Sequence, residues 1–162
     1  MDPGLVPVLM LVVVTAALSL LGAVGVRRLR SWPVAVRGGV AALFVTTGAA
    51  HFVGMREELI AMVPPALPAP ALLVTVTGVL ELAGAAGILW SRTAPWAAGG
   101  LTVLLLGMFP ANVYKALNGP VTSTMDELVP RSLMQVVFLA ATVSLVVHYV
   151  RAPNGPFAQR RP

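Results

Sequence analysis

Glu81 stands in TGVLELAGAAG, near the middle of the apolar run 70–90. A carboxylate at the centre of a bilayer costs about 2.5–3.5 kcal/mol on insertion scales, so an acid kept there is a functional candidate by default. The competing expectation is a protonated Glu81 that only hydrogen-bonds a neighbouring helix. Gly78 and Gly84 flank it at helical spacing, and small residues so placed let another helix approach closely. The carboxyl is therefore expected in a packed seam and not against lipid.

His51 closes GAAHF, three residues after Gly48. Histidine changes charge near neutral pH, which suits a proton-exchanging or ligand-contacting role. An interfacial imidazole bonded to water or backbone is the plainer alternative. Joined to Glu57 and Glu58 it would still lack the well-spaced ligands of a metal centre, so no metal site is assigned. FPANVYKAL, 109–117, ends another apolar run. Pro110 deprives the Leu106 carbonyl of its helical donor, and the Asn112 amide, or a water it holds, is expected to satisfy that oxygen. Tyr114 and Lys115 read as an interfacial anchor and a snorkelling cation. Gln135 lies four residues into the last run.

These residues need elements to position them. Of the 162 residues 57% are hydrophobic and 10% charged, and the mean hydropathy is +0.87. A soluble domain carries about 25% charged residues, so this chain lacks the polar surface to face water all round. Five runs, 5–26, 34–53, 70–90, 96–117 and 131–150, approach the ~20 apolar residues a spanning helix needs. None alternates as a barrel strand would. The chain is thus expected to be an all-α membrane protein. Residues 1–30 form a transmembrane helix and basic inner loop, 31–150 a four-helix transmembrane domain, and 151–162 a disordered cytoplasmic tail. The first run is expected to be a retained helix and not a signal peptide, because it outruns an h-region, has no basic leader, and RRLR follows it.

Loop charges orient the bundle. Arg27, Arg28, Arg30 and Arg37 follow the first run, Arg92 the third, and Arg151, Arg160 and Arg161 the last. The intervening loops are acidic (Arg56, Glu57, Glu58) or balanced (Lys115, Asp126, Glu127, Arg131). Basic loops sit on the cytoplasmic side, so the N-terminus is outside and the C-terminus inside. Arg37 is expected to snorkel to the inner interface, and His148 to lie there as an ordinary interfacial residue. The net charge of +5 thereby reads as topology and not as a nucleic-acid signal, and the absence of cysteine removes disulfide, thiol-redox and Cys-ligated metal chemistry from this chain alone. Arginine makes up ten of the eleven basic residues; with the abundant Ala, Gly, Val and Pro this suggests a GC-rich, bacterial source and hence the plasma membrane.

The same orientation gathers the unusual residues at the outer end. Counting 1.5 Å per residue from the inner helix ends puts His51 and Asn112 level at ~24 Å, Gln135 near them, and Glu81 ~10 Å deeper. His51, Thr77, Glu81, Asn112 and Gln135 are therefore expected to line an outward-facing polar pocket with an acidic floor, in which a direct His51–Glu81 bond would need strong tilts or a bridging water. The loop VPPALPAP, 63–70, cannot be helical throughout, and residues 57–62 read as a short amphipathic turn.

GAAHFVGMREELIAMVPPALPAP, TGVLELAGAAGIL and FPANVYKAL, in that order, resemble the DoxX-like membrane proteins. Those carry a G-x-x-H-F turn, a V-P-P-x-L-P loop, a (S/T)-G-x-x-E helix and a P-A-N-(I/V)-Y segment. The resemblance covers residues 34–150 as a four-helix bundle, with the first helix as an addition, and His51, Glu81, Pro110 and Asn112 occupy its motif positions. It implies an accessory subunit of a membrane redox system, quinone-linked or handling oxidative stress, with quinone as the candidate cofactor and a redox partner in the bilayer. Two other functions stay open: a small membrane enzyme using His51 and Glu81 on a lipophilic substrate, and a non-catalytic chaperone or scaffold for a client protein. No internal inverted repeat or pair of broken helices points to a transporter.

Overall fold

The computed structural model describes residues 3–120 and 124–152. Six helices account for most of them: α1 (Val6–Ala23), α2 (Trp32–Ala50), the short α3 (Arg56–Ala61), α4 (Pro70–Leu89), α5 (Ala94–Asn118) and α6 (Leu128–Arg151). Among the described residues there is no strand. All but α3 are long and apolar enough to cross a membrane. The chain is an all-α, multi-pass membrane protein. The disordered tail expected over 151–162 falls, from Pro153 on, outside the described residues.

Proline sets where these helices begin. Each of α1, α2, α4 and α5 has one at its first or second position, where the missing N–H is not needed and the fixed φ suits a helix. Between α3 and α4 the run of prolines keeps the chain out of helix as expected, and Ala69 adopts a left-handed φ of 50° to turn into Pro70. Pro110 stands well inside α5, which continues to Asn118.

The helices pack as a ring. α2 lies on α4, α4 on α5, α5 on α6, and α6 touches α2, while α1 lies along α2 from outside. The buried apolar core joins Val40, Leu43 and Phe44 of α2 to Ala85 and Ile88 of α4, Ala98 and Leu101 of α5, and Leu145 of α6. Valines and leucines such as Val13, Leu72, Leu106 and Val136 remain exposed, as lipid permits. Because lipid tails are as apolar as leucine, such helices associate through close packing and interhelical hydrogen bonds and not through the hydrophobic effect. The positions of the small and the polar residues therefore decide how they fit.

Arg37 shows this at one end of the bundle. It does not snorkel. Its Nε donates to the Ile88 carbonyl at 2.6 Å and its Nη2 to that of Leu89. The last carbonyls of a helix have no intrahelical donor, and a cation there also opposes the negative end of the helix dipole. At the same end His148 meets Trp32 edge-on, with ring centroids 5.2 Å apart.

Candidate functional site

α2 and α4 run antiparallel, and each carries a glycine three residues before its polar side chain: Gly48 before His51, Gly78 before Glu81. The structure sets each glycine against the other helix's polar residue. A methyl group at Gly78 would lie 2.5 Å from the His51 Cβ and 2.9 Å from the Phe52 ring, and one at Gly48 would lie 3.2 Å from the Glu81 Cβ. The seam is closed to the thickness of a hydrogen atom at both places. Gly84, from the same stripe, meets Leu101 of α5 instead, so the glycines of α4 serve two neighbours.

This register brings His51 and Glu81 together. The His51 Nδ1 is 3.9 Å from the Glu81 Oε2, close enough for an ion pair and too long for a direct hydrogen bond. The depth gap expected from counting is wrong for a definite reason. Pairing residue 48 with 81 leaves His51 only three residues, ~4.5 Å, beyond Glu81 along the axis. The helix ends from which the count started are not level: in this register Leu89 is opposite position 40, about two turns inside the start of α2 at Trp32.

Each residue is 3% exposed, so the outward-open pocket expected here is closed. His51 Nδ1 lies 2.9 Å from the Thr47 carbonyl oxygen, one turn back on its own helix. That contact puts the proton on Nδ1, since a carbonyl can only accept. The same N–H thus points between the Thr47 carbonyl and the carboxylate, and Glu81 Oε2 is buried without a hydrogen-bond partner. The Thr47 side chain lies against the carboxyl. Arg56 holds the end of the seam: its Nη1 donates to the His51 carbonyl at 3.1 Å and its Nη2 to the Thr75 hydroxyl at 3.0 Å. Chemically this is a buried imidazole N–H and a carboxyl group held side by side, an acid and a base within one side-chain rotation of contact.

Asn112 and Gln135 form a second cluster, between α5 and α6. The Gln135 Nε2 donates to the Leu105 carbonyl at 2.7 Å, the Asn112 Nδ2 to the Gln135 Oε1 at 3.5 Å, and the Arg131 Nη1 to the Asn112 Oδ1 at 3.0 Å. Arg131 Nη2 in turn reaches the Asp126 Oδ1 at 3.0 Å. The Asn112 side chain is thus bonded to α6 and not to the Leu106 carbonyl that Pro110 deprives of its donor, and the glutamine of the facing helix bonds the neighbouring Leu105 carbonyl.

The five expected site residues thus divide. His51 pairs with Glu81, and Asn112 with Gln135, but no hydrogen bond joins the two clusters among the described residues. Thr77 belongs to neither, since its hydroxyl donates to the Leu73 and Val74 carbonyls of its own helix. Thr47, Arg56 and Arg131 are partners that sequence reasoning missed. Thr47 had a signal, its four-residue spacing from His51 on one helix face; the arginines had been counted only as loop charges. Among the described residues no three of His, Cys, Asp and Glu gather as metal ligands. Two cavities of about 660 and 590 Å³ lie at the other end of the bundle, one beside Arg37 and one beside His148.

A family model described as a domain of unknown function, DUF8561, matches residues 40–146. That stretch includes α3, α4 and α5 whole, most of α2 and α6, and all of both clusters. No curated protein and no solved structure matches the chain.

Proposed function

We propose that this chain, which belongs to the DUF8561 family, is an accessory subunit of a membrane redox system in which His51 and Glu81 exchange a proton with a quinone. One observation carries the reading: the Glu81 Oε2 is buried, unpartnered and 3.9 Å from the His51 Nδ1. A carboxyl oxygen left so is costly in a bilayer, and a residue kept there at that cost is a functional candidate. The resemblance to DoxX-like membrane proteins supports the choice of a quinone. With both side chains 3% exposed, the headgroup reaches the pair only when the turn carrying Phe52 and Arg56 swings aside. The arginine-rich loops support an N-terminus outside and a C-terminus inside, and the Arg-, Ala-, Gly-, Val- and Pro-rich composition supports a bacterial plasma membrane; in that orientation the pair would lie near the outer leaflet.

The test is organic extraction of the purified protein followed by mass spectrometry. Quinone is expected with the native chain and is expected to be lost with Glu81→Gln and His51→Ala. A chain that carries none, and binds none when it is added, overturns the reading. A stable co-purifying partner retained by both variants would instead support a chaperone or scaffold for a client protein. The 3.9 Å separation also favours a second reading, a small membrane enzyme acting on a lipophilic substrate, because general acid and base must reach the same atoms. Turnover abolished by either substitution, without any redox partner, distinguishes it.

A further inference from the structure

Among the described residues, the end of the bundle opposite His51 carries arginines and no acidic side chain. Arg27, Arg28, Arg30, Arg37, Arg92 and Arg151 are there, whereas Glu57, Glu58, Asp126 and Glu127 all lie at the far end and Glu81 lies within the bundle. Most of these arginines need no explanation beyond topology. Arg28 and Arg37 differ because they line a cavity.

That cavity, about 660 Å³, lies between the end of α1, the following turn and the seam of α2 with α4. It is an open groove on the side of the bundle and not an enclosed chamber. Its polar wall is Arg28, Arg37 and Ser91, and its apolar wall includes Leu18, Leu89 and Trp90. Arg37 is held rigidly, since Nε and Nη2 are bound to the α4 carbonyls, and Nη1 has no hydrogen-bond partner among the described residues. Arg28 is exposed and makes no hydrogen bond or ion pair among the described residues. Trp90 and Leu89 stand at the rim, 71% and 57% exposed, and tryptophan belongs at the level of lipid headgroups.

We propose that this cavity binds the headgroup of an anionic phospholipid, with the phosphodiester between Arg28 and Arg37, a headgroup hydroxyl on Ser91, and an acyl chain along Leu18 and Leu89. One fixed cation, Arg37, and one exposed cation free to close on a ligand, Arg28, match a phosphate, and the apolar wall leading out past Trp90 matches a lipid and not a soluble phosphate ester. Basic pockets between transmembrane helices bind anionic headgroups for this reason. The inference is independent of the His51–Glu81 reading and concerns the other end of the molecule.

Native mass spectrometry of the full chain in detergent tests it, with dioleoylphosphatidylglycerol, dioleoylphosphatidylcholine and sn-glycerol 3-phosphate as probes. The phosphatidylglycerol is expected to bind selectively, and Arg28→Gln to weaken it about fivefold, the value of one arginine against an anionic lipid. Arg28 is the residue to change because Arg37→Gln would also uncap α4. Arg92→Gln, at the same end but outside the cavity, is expected to leave binding unchanged. Equal binding of the two lipids, equal losses in the Arg28 and Arg92 variants, or binding of glycerol phosphate as tight as that of the lipid would each overturn the proposal.

Discussion

Two seams of this bundle carry polar residues at one end, and they treat them in opposite ways. Between α5 and α6 the side chains are long and almost every group has a partner. A continuous chain runs from Asp126 through Arg131, Asn112 and Gln135 to the Leu105 carbonyl, and only the Nε of Arg131 is buried unpaired. Between α2 and α4 the spacing is set by glycine, the helices are in contact, and a carboxylate oxygen is left without a partner. The first seam uses polarity as an adhesive. The second keeps its carboxylate chemically available while backbone contact supplies the cohesion. Polar groups at membrane depth do not all have one purpose, and their hydrogen-bond accounts distinguish them.

The contrast can be broken most severely at Gly78. Alanine there places its Cβ 2.5 Å from the His51 Cβ, an atom next to backbone that cannot yield, so α2 and α4 must separate. Overpacking of this kind costs about 1–3 kcal/mol, and a large loss of thermal stability in detergent is expected. Gly48→Ala should cost distinctly less. Its nearest neighbours are the Leu82 Cγ and Cδ2, at 2.9 and 3.0 Å, in a side chain that can change rotamer, and the Glu81 Cβ is further off at 3.2 Å. Equal effects would show that the seam does not depend on this register.

A hydrogen-bond deletion sharpens the comparison. Gln135→Leu removes the side-chain donor that the Leu105 carbonyl has in addition to its place in the helix ladder, and takes the acceptor from the Asn112 amide. A loss of about 0.5–1.5 kcal/mol per hydrogen bond removed is expected, readable as a lower melting temperature. Glu81→Gln should show the smallest change in stability. It replaces a carboxyl whose Oε2 has no partner and keeps the side-chain shape, so the melting temperature is expected to stay or rise while quinone retention is lost. A fall as large as that of Gln135→Leu would mean that the carboxylate is structural.

Some of this was legible in advance. The apolar runs locate five spans to within a few residues, because twenty apolar residues have few other uses, and the prolines at 33, 70 and 95 mark where helices begin. His51, Glu81, Asn112 and Gln135 were also legible as unusual, since a polar residue inside an apolar run stands out by type alone. Their grouping was not. A one-dimensional count assumes level helix ends, and here α2 starts about two turns beyond the end of α4. Nor did composition reveal that Arg37 and Arg131 bond specific oxygens, because a side chain of that length reaches a neighbour the sequence does not name.

What the sequence determined by itself was therefore the class of molecule, the number of spans and the residues able to do chemistry. Each depends on local composition and on the cost of exposing polar groups to lipid. The tertiary structure alone decided that Gly48 faces Glu81 and Gly78 faces His51, which makes one acid–base pair out of two isolated residues and joins the other two in a separate network. That decision lies in the register between antiparallel helices, which is set by where two backbones can touch.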